Sequence, residues 1–488
     1  MGGKKILVAS MNPWAFCMAV EADVARSHAG DRVDLVNMYR LCSRYSPHWR
    51  PLDRAIEAVN RKIERFVRPA INGEEITGRL AATPVTVPPV PETFEALRGY
   101  KLEGAHIGLG VLSSVTSVTT IREPTHLDEY GSALPRAWDA AHRSFHLAKA
   151  IAAMSYDEIW VFNGRHCYAR PFCDVLERSA TVMRYEQGST GNSYVAADRM
   201  VFDPEVFARL VRANPFDPAL GEAFYRERLE RVPGNEAELF TGEQIPGYLP
   251  VEGERIVSFF TSSTDEMYSV KDEPTFGVYA RQSDAALAVA EQCSRLGYRL
   301  VIRMHPHLQY KSDAWRREWD FEALAKLGTM VVEPADPCDS YALVRASHCV
   351  FTVGSSVGVE AAYLGVPNAV VGLWTHGPMG TSAVVRDAGE IAAFISDPVL
   401  PDGAHEAALR YGSFCKRAGK LLPELRFGDH PNLATIDGRP VDPVRYAVQK
   451  LRVLAGVQQN NVLSSSGKMI VEQNLKVGRE GFKRRAAT

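Results

Sequence analysis

Two clusters of polar residues each close an apolar, β-branched run. The first run, Arg299-Leu-Val-Ile-Arg-Met-His-Pro306, ends in Arg303, His305 and Pro306. The second, Cys349-Val-Phe-Thr-Val-Gly-Ser-Ser356, ends in Gly354, Ser355 and Ser356 and passes directly into Val357-Gly-Val-Glu-Ala-Ala-Tyr-Leu-Gly365. An imidazole beside a guanidinium suits a phosphate: the arginine fork donates twice, the histidine once, and the proline stiffens the turn. Two hydroxyls, and the unpaired N–H groups of a helix starting after Ser356, would face the same anion. Glu360, one turn further on, would reach a sugar hydroxyl or fix the loop. Taken singly these residues have ordinary roles, a histidine in a turn or a serine capping a helix for about 1 kcal/mol. It is the pairing of the two clusters that points to phosphate.

For the clusters to meet, both runs must be parallel strands of one sheet, with their carboxyl ends at a common edge. The alternation of the second half supplies such a sheet. Strands are expected at Ile256–Phe260, Leu300–Met304, Met330–Val332, Cys349–Val353 and Asn368–Gly372. Helices are expected between them at Ser283–Leu296, Asp313–Leu327, Ser340–Ala346 and Val357–Leu364. The chain opens with the same pattern: a strand at Lys4–Ser10, a helix at Trp14–His28 and a strand at Arg32–Met38 make a βαβ unit. After a looser region, with an amphipathic helix at Leu52–Phe66 and a small-residue segment at Gly104–Thr120 that reads as either helix or strand, the alternation resumes. A helix at Pro135–Met154, strands at Glu158–Phe162 and Thr181–Tyr185, and a helix at Ala169–Ser179 follow. Pro204–Val232 is helical with a break at Asn214-Pro215, and Thr241–Glu254 reads as a linker. The expectation is therefore α/β, with two Rossmann-like doubly wound domains over residues 1–245 and 255–400. C-terminal helices at 401–457, one at His405–Leu421 and one at Pro443–Leu454, return in part to the first domain. A polar basic tail occupies 458–488.

At 488 residues the chain exceeds one ordinary core. A hydrophobic fraction of 46% with 23% charged residues fits a globular protein, and a net charge of −2 offers no basis for nucleic-acid binding. The eight cysteines include no CxxC pair and several fall in apolar helices or strands, which suits buried thiols in a reducing, cytoplasmic setting without structural zinc. No stretch of about 18 apolar residues could span a bilayer. The closing Lys483-Arg484-Arg485 would either meet anionic lipid at the inner face of a membrane or remain solvated.

Arg303-Met-His-Pro306 followed by Gly354-Ser-Ser-Val-Gly-Val-Glu-Ala-Ala362 and Gly365-Val-Pro367 resembles the C-terminal half of GT-B glycosyltransferases of the bacterial capsule polysaccharide biosynthesis type. It is also similar to the His-Pro and Ser-Ser motifs of bacterial sialyltransferases and Kdo transferases, which use CMP-activated acidic sugars. The resemblance covers roughly 256–372, is patchy over 157–189 and is absent from the middle of the first domain. It implies that His305, Ser355 and Ser356 bind the donor's phosphate. The sialyltransferases carry an acidic-acidic-Gly motif whose first acid is the general base, and Tyr185-Glu-Gln-Gly-Ser189 matches it except at Gln187. That assigns the base to Glu186, which would take the proton from an acceptor hydroxyl as it attacks the anomeric carbon.

Two further stretches are similar to parts of capsule-type proteins. In Phe162-Asn-Gly-Arg165, Arg165 would meet an acidic group on donor or acceptor. In Phe259-Phe-Thr-Ser-Ser-Thr-Asp-Glu266, Ser262, Ser263, Asp265 and Glu266 would hold the nucleotide or close the cleft. Turn and cap chemistry accounts for both stretches equally well. No Asp-x-Asp, no Gly-x-Gly-x-x-Gly after the first strand and no Walker motif is present, which disfavours a metal-bound diphosphate, a dinucleotide and P-loop chemistry. The expected function is a cofactor-free, metal-independent GT-B glycosyltransferase of surface polysaccharide synthesis, moving a CMP-activated acidic sugar onto a glycan or lipid-linked glycan hydroxyl. Transfer from a UDP- or GDP-sugar, UDP-sugar epimerisation, and a non-catalytic nucleotide-binding scaffold remain the alternatives.

Overall fold

A computed structural model describes residues 3–447 except 49–52, 120, 122–123, 233–240, 242, 252–254, 263–278, 280, 311–312, 373–376, 428–432 and 444–445. The first sheet contains β1 (Lys5–Ser10), β2 (Arg32–Asn37), β3 (Glu158–Phe162), β4 (Thr181–Gln187) and β5 (Ser193–Ala197). The second contains β6 (Ile256–Phe260), β7 (Arg299–Arg303), β8 (Met330–Val332), β9 (Cys349–Thr352), β10 (Asn368–Val371) and β11 (Ala383–Val385). A short β12 (Lys420–Leu421) belongs to the first sheet.

The strands are nearly continuous apolar runs because both of their faces are covered. In β1, Leu7 and Ala9 pack with the helices Ile107–Thr119 and Ala133–Ala152, while Ile6 and Val8 pack with the helix Ala15–Ser27 on the opposite face. In β6, Val257 and Phe259 pack with the helix Gln282–Leu296, and Ile256 and Phe260 with Leu343 and Val344 of the helix Ser340–Ala346. Each sheet is thus wound on both sides, as expected.

The strand order of the second sheet is β8-β7-β6-β9-β10-β11, all parallel. The chain moves outward from β6 to β8, then restarts on the other side of β6 with β9, which opens a crevice between the carboxyl ends of β6 and β9. The first sheet runs β2-β1-β3-β4-β5-β12, with its own reversal between β1 and β3 and with β5 antiparallel to β4. The periodicity missed β5 and β11: β11 is an edge strand of the second sheet, and β5 lies between β4 and the edge strand β12 of the first. Val384 therefore lies in a strand, and the next helix begins at Ala388. The ambiguous segment is the helix Ile107–Thr119. The single helix expected over Asp313–Leu327 is a 3₁₀ turn, Asp313–Glu318, followed by the helix Phe321–Lys326.

The two domains are tied by helices. Pro204–Ala213 and Pro218–Leu229, which the sequence reading grouped with the first domain, share a core with Val359, Ala362, Ala408 and Phe414 of the second half. The helix Ala404–Arg417 packs on them, and the chain returns through β12, which pairs antiparallel with β5. The return to the first domain is thus made by a strand and then by Leu422, Leu425 and Ile436 packing on the helix Ala15–Ser27. Most of the expected helix Pro443–Leu454, and the whole tail, lie outside the described residues. Seven of the cysteines are buried free thiols and Cys415 is half-buried.

The helix pair crosses at two glycines. A Cβ on Gly221 would stand 2.4 Å from the Leu409 carbonyl oxygen, and one on Gly412 would stand 2.9 Å from the Gly221 carbonyl oxygen. Gly221→Ala is expected to destabilise the protein by about 1–3 kcal/mol in urea denaturation. An unchanged midpoint would mean that the helices separate without cost.

Candidate functional site

At the reversal of the second sheet lies a cavity of about 80 Å³ lined by Phe260 and Thr261 after β6, Arg303 to Pro306 after β7, and Ser355 to Val357 with Glu360 after β9. Arg228, Thr241, Gln244, Ser340 and Tyr341 close its other side. His305, Ser355 and Ser356, far apart in the chain, therefore converge on one space. The neighbouring strands fix this arrangement. The Thr261 N–H donates to the Arg303 carbonyl at 3.1 Å, and its hydroxyl accepts the His305 N–H at 2.7 Å, so Thr261 stitches the end of β6 to the turn that carries the imidazole. Pro306 then opens the 3₁₀ turn Pro306–Tyr310. Gly354 takes φ +81, a left-handed conformation that glycine adopts without steric cost, and this turns the chain so that Ser355 lines the cavity. The helix that follows, Val357–Tyr363, has only two turns, so the side chains must supply most of the cavity's chemistry.

Arg303 does not present the open fork that its spacing suggested. It is 2% exposed, and its two terminal nitrogens donate to the carbonyls of Glu333 and Asp336, with only Nε left without a partner. Burial holds its pKa below the usual arginine value. Its role is to brace the loop after β8, because the strand end needs those carbonyls satisfied where water is excluded. The cation on the cavity wall is instead Arg228, from the helix Pro218–Leu229, whose Nη1 lies 3.1 Å from Glu360 Oε1, with Glu360 buried and Arg228 partly so. Sequence reasoning missed Arg228 because nothing in its own helix marks it. Its significance comes from the opposite element.

Glu360 lines the cavity and makes contacts that fix the loop. Burial raises its carboxyl above the ordinary value, while the Arg228 charge and hydrogen bonds from Tyr341, Arg228 and Ser356 oppose the rise. Burial likewise opposes the Arg228 cation, and the Glu360 charge overrides it and raises its pKa.

The other expected residues lie elsewhere. Ser262 donates its N–H to Gln282 Oε1 at 2.7 Å and is not on the cavity wall. Ser263, Asp265 and Glu266 fall outside the described residues. Glu186 sits on β4 at the carboxyl edge of the first sheet and accepts a hydrogen bond from Asn163 Nδ2, but it does not line the cavity. Asn163, with φ +64, is the turn residue after β3, and its Oδ1 accepts the Arg165 N–H at 3.0 Å. Beside Glu186 in sequence, the Tyr185 hydroxyl donates at 3.1 Å to Glu21, whose buried carboxyl is pushed up to about 8. Trp14 caps the helix Ala15–Ser27 without a side-chain bond, is 46% exposed and meets Phe162 edge-on at 5.4 Å. The sequence reading treated it only as a helix start. Among the described residues no three His, Cys, Asp or Glu side chains gather as a metal site would, and no helix is long and apolar enough to cross a membrane.

No protein-family model and no curated protein sequence matches the chain. Among solved structures it is similar to the beta Kdo 2,7 transferase KpsC of Thermosulfurimonas dismutans, with a TM-score of 0.33 and 15% identity over 54% of this chain and 79% of that one. It is also similar to S. aureus MnaA with UDP, with a TM-score of 0.27 and 11% identity over 93% and 98%. A third is the UDP-GlcNAc 2-epimerase of Methanocaldococcus jannaschii, with a TM-score of 0.28 and 11% identity over 83% and 97%. Likeness at this level leaves the function to be read from the site.

The Arg228–Glu360 pair yields a direct test. Glu360→Leu removes the carboxylate partner of a largely enclosed guanidinium and is expected to cost about 3 kcal/mol, whereas Arg228→Met with Glu360→Leu should recover most of that loss. Urea melts of the two variants measure the difference. Equal destabilisation by the single and the double variant would contradict the pairing.

Proposed function

We propose that the chain is a GT-B glycosyltransferase that binds a nucleotide-activated sugar at the second sheet and an acceptor at the first. The observation that supports this most is the convergence of His305, Ser355 and Ser356 on one cavity at the carboxyl-end crevice of a parallel sheet, where such folds place ligands. A donor's phosphate entering there meets the His305 imidazole and the Ser355 hydroxyl, and the Ser356 hydroxyl when it turns from Glu360 to the phosphate. Such pre-positioned donors stabilise the charge that grows on the departing nucleotide phosphate. Because the cavity is small, it takes the phosphoryl group, leaving sugar and base to the space outside it.

The acceptor hydroxyl attacks the anomeric carbon, its proton passes to the Glu186 carboxylate, and the glycosidic bond to the nucleotide phosphate breaks. Glu186 is oriented by the Asn163 amide. Trp14, exposed near Phe162, offers the aromatic face that sugar sites commonly use beside their few polar groups. We assign the donor as a CMP-linked acidic sugar, on the co-occurrence of the His-Pro, Ser-Ser and Glu-x-Gly features in one chain. UDP- and GDP-sugars are the competing donors.

Thermal shifts with CMP, UDP and GDP ligands rank the donors. CMP is expected to give the largest shift, and His305→Ala is expected to weaken its binding ~10-fold. A larger shift with UDP would reject the CMP assignment. Glu186→Ala should keep nucleotide binding and lose at least ~10² in transfer rate; unchanged turnover would remove Glu186 from the reaction.

A further inference from the structure

The first sheet has its own reversal, between β1 and β3, and the residues that end those strands include a charge the proposed donor site does not use. Arg165 is 9% exposed. Its Nη1 donates to the hydroxyls of Ser113 at 3.1 Å and Ser117 at 3.3 Å, both on the helix Ile107–Thr119. Its Nε is buried with no partner, and no carboxylate among the described residues pairs with it. A buried guanidinium without a counter-ion carries an uncompensated desolvation cost, so such a charge is ordinarily paired or occupied. The edge left open, Nε with Nη2, is the planar two-pronged face that matches a carboxylate.

Two imidazoles stand beside it. His48 and His166 meet edge-to-face with ring centres 4.6 Å apart, His166 stacks on Tyr168, and His166 Nδ1 and His48 Nε2 are buried without partners. Burial, reinforced by the Arg165 charge, lowers His48 to about 4 and holds His166 well below its usual value, so both rings are neutral at pH 7. Arg136 also contributes to the depression at His48, but its Nη2 is committed to the Ser46 carbonyl at 2.7 Å. Neutral imidazoles can each donate one hydrogen bond to an anion without adding charge. Asn163 links this cluster to the proposed base: its Oδ1 holds the Arg165 backbone while its Nδ2 holds Glu186.

We infer that the crevice between β1 and β3 is an oxyanion subsite in which Arg165, with His166 and His48, takes the carboxylate of an acidic sugar in the acceptor. The inference deepens the glycosyltransferase reading: an acceptor anchored by its carboxylate at Arg165 would present a hydroxyl near the Glu186 side of the same turn. Phosphate shares the oxyanion chemistry, and the planar open edge of Arg165 favours the carboxylate.

Calorimetric titration of the full chain, with CMP present to fill the donor cavity, against N-acetylneuraminic acid, its methyl ester and inorganic phosphate tests the subsite, and CMP binding is measured separately on the same samples. The free acid should bind at least tenfold more tightly than the ester and than phosphate. Arg165→Gln should weaken the acid at least tenfold, leave CMP affinity unchanged and leave the melting temperature unchanged or higher, because an uncompensated buried charge is removed. Equal binding of acid and ester, no binding of the acid, or a preference for phosphate overturns the carboxylate assignment. So does an Arg165→Gln variant that binds the acid as the parent does, or one that melts several degrees lower with ligand binding intact. The comparison of acid with ester requires no variant, so a variant that fails to fold leaves the test standing. Loss of CMP binding by the parent chain, with the acid still bound, would count against the donor reading and not against this subsite.

Discussion

The structure depends on the placement of β6 between β7 and β9. A parallel sheet sends every strand's carboxyl end to the same edge, and where the winding reverses no crossover covers the gap between the two central strands. In this chain the gap is bounded by Thr261, by the His305 turn on one side and by Ser355 and Ser356 on the other. Thr261 holds the edge together through two hydrogen bonds to the neighbouring strand end. The polar groups of the cavity are thereby held in place by the packed strand ends.

A second constraint comes from outside the sheet. Arg228 belongs to a helix of the connecting segment, and its pairing with Glu360 fastens that helix to the helix Val357–Tyr363 that follows Ser355 and Ser356. Tyr225 from the same helix stacks on Tyr363 with ring centres 4.1 Å apart. The segment joining the domains is therefore part of the cavity wall. Arg317 of the second domain also reaches Glu129 of the first at 2.8 Å, an exposed contact of the kind worth under about 1 kcal/mol. The buried helix pair, with glycines at its closest approach, sets the mutual placement more firmly.

The α/β class, the two wound sheets and most strand positions were legible from sequence because strands covered on both faces leave unbroken β-branched runs, as in Leu300–Arg303 and Cys349–Thr352. The strands at the sheet margins were not: Ser193–Ala197, next to the edge, and Ala383–Val385 are half-polar or short, and Lys420–Leu421 has two residues. The meeting of His305 with Ser355 and Ser356 was legible, since strand ends share an edge. The use of Arg303 was not, because same-face spacing shows where a side chain points but not which carbonyls wait there. Arg228 was invisible for the complementary reason that its partner is remote in sequence. Arg165 stood out as a charge after a strand, but its lack of a counter-ion is a property of the packed structure alone.

The central claim is that one phosphoryl group occupies the cavity formed by His305, Ser355 and Ser356. A crystal structure of the protein with CMP tests it most directly. The account predicts the α-phosphate within hydrogen-bonding reach, about 2.7–3.2 Å, of the His305 imidazole and at least one of the two seryl hydroxyls. A phosphate bound elsewhere on the chain, with that cavity holding only water, would contradict it.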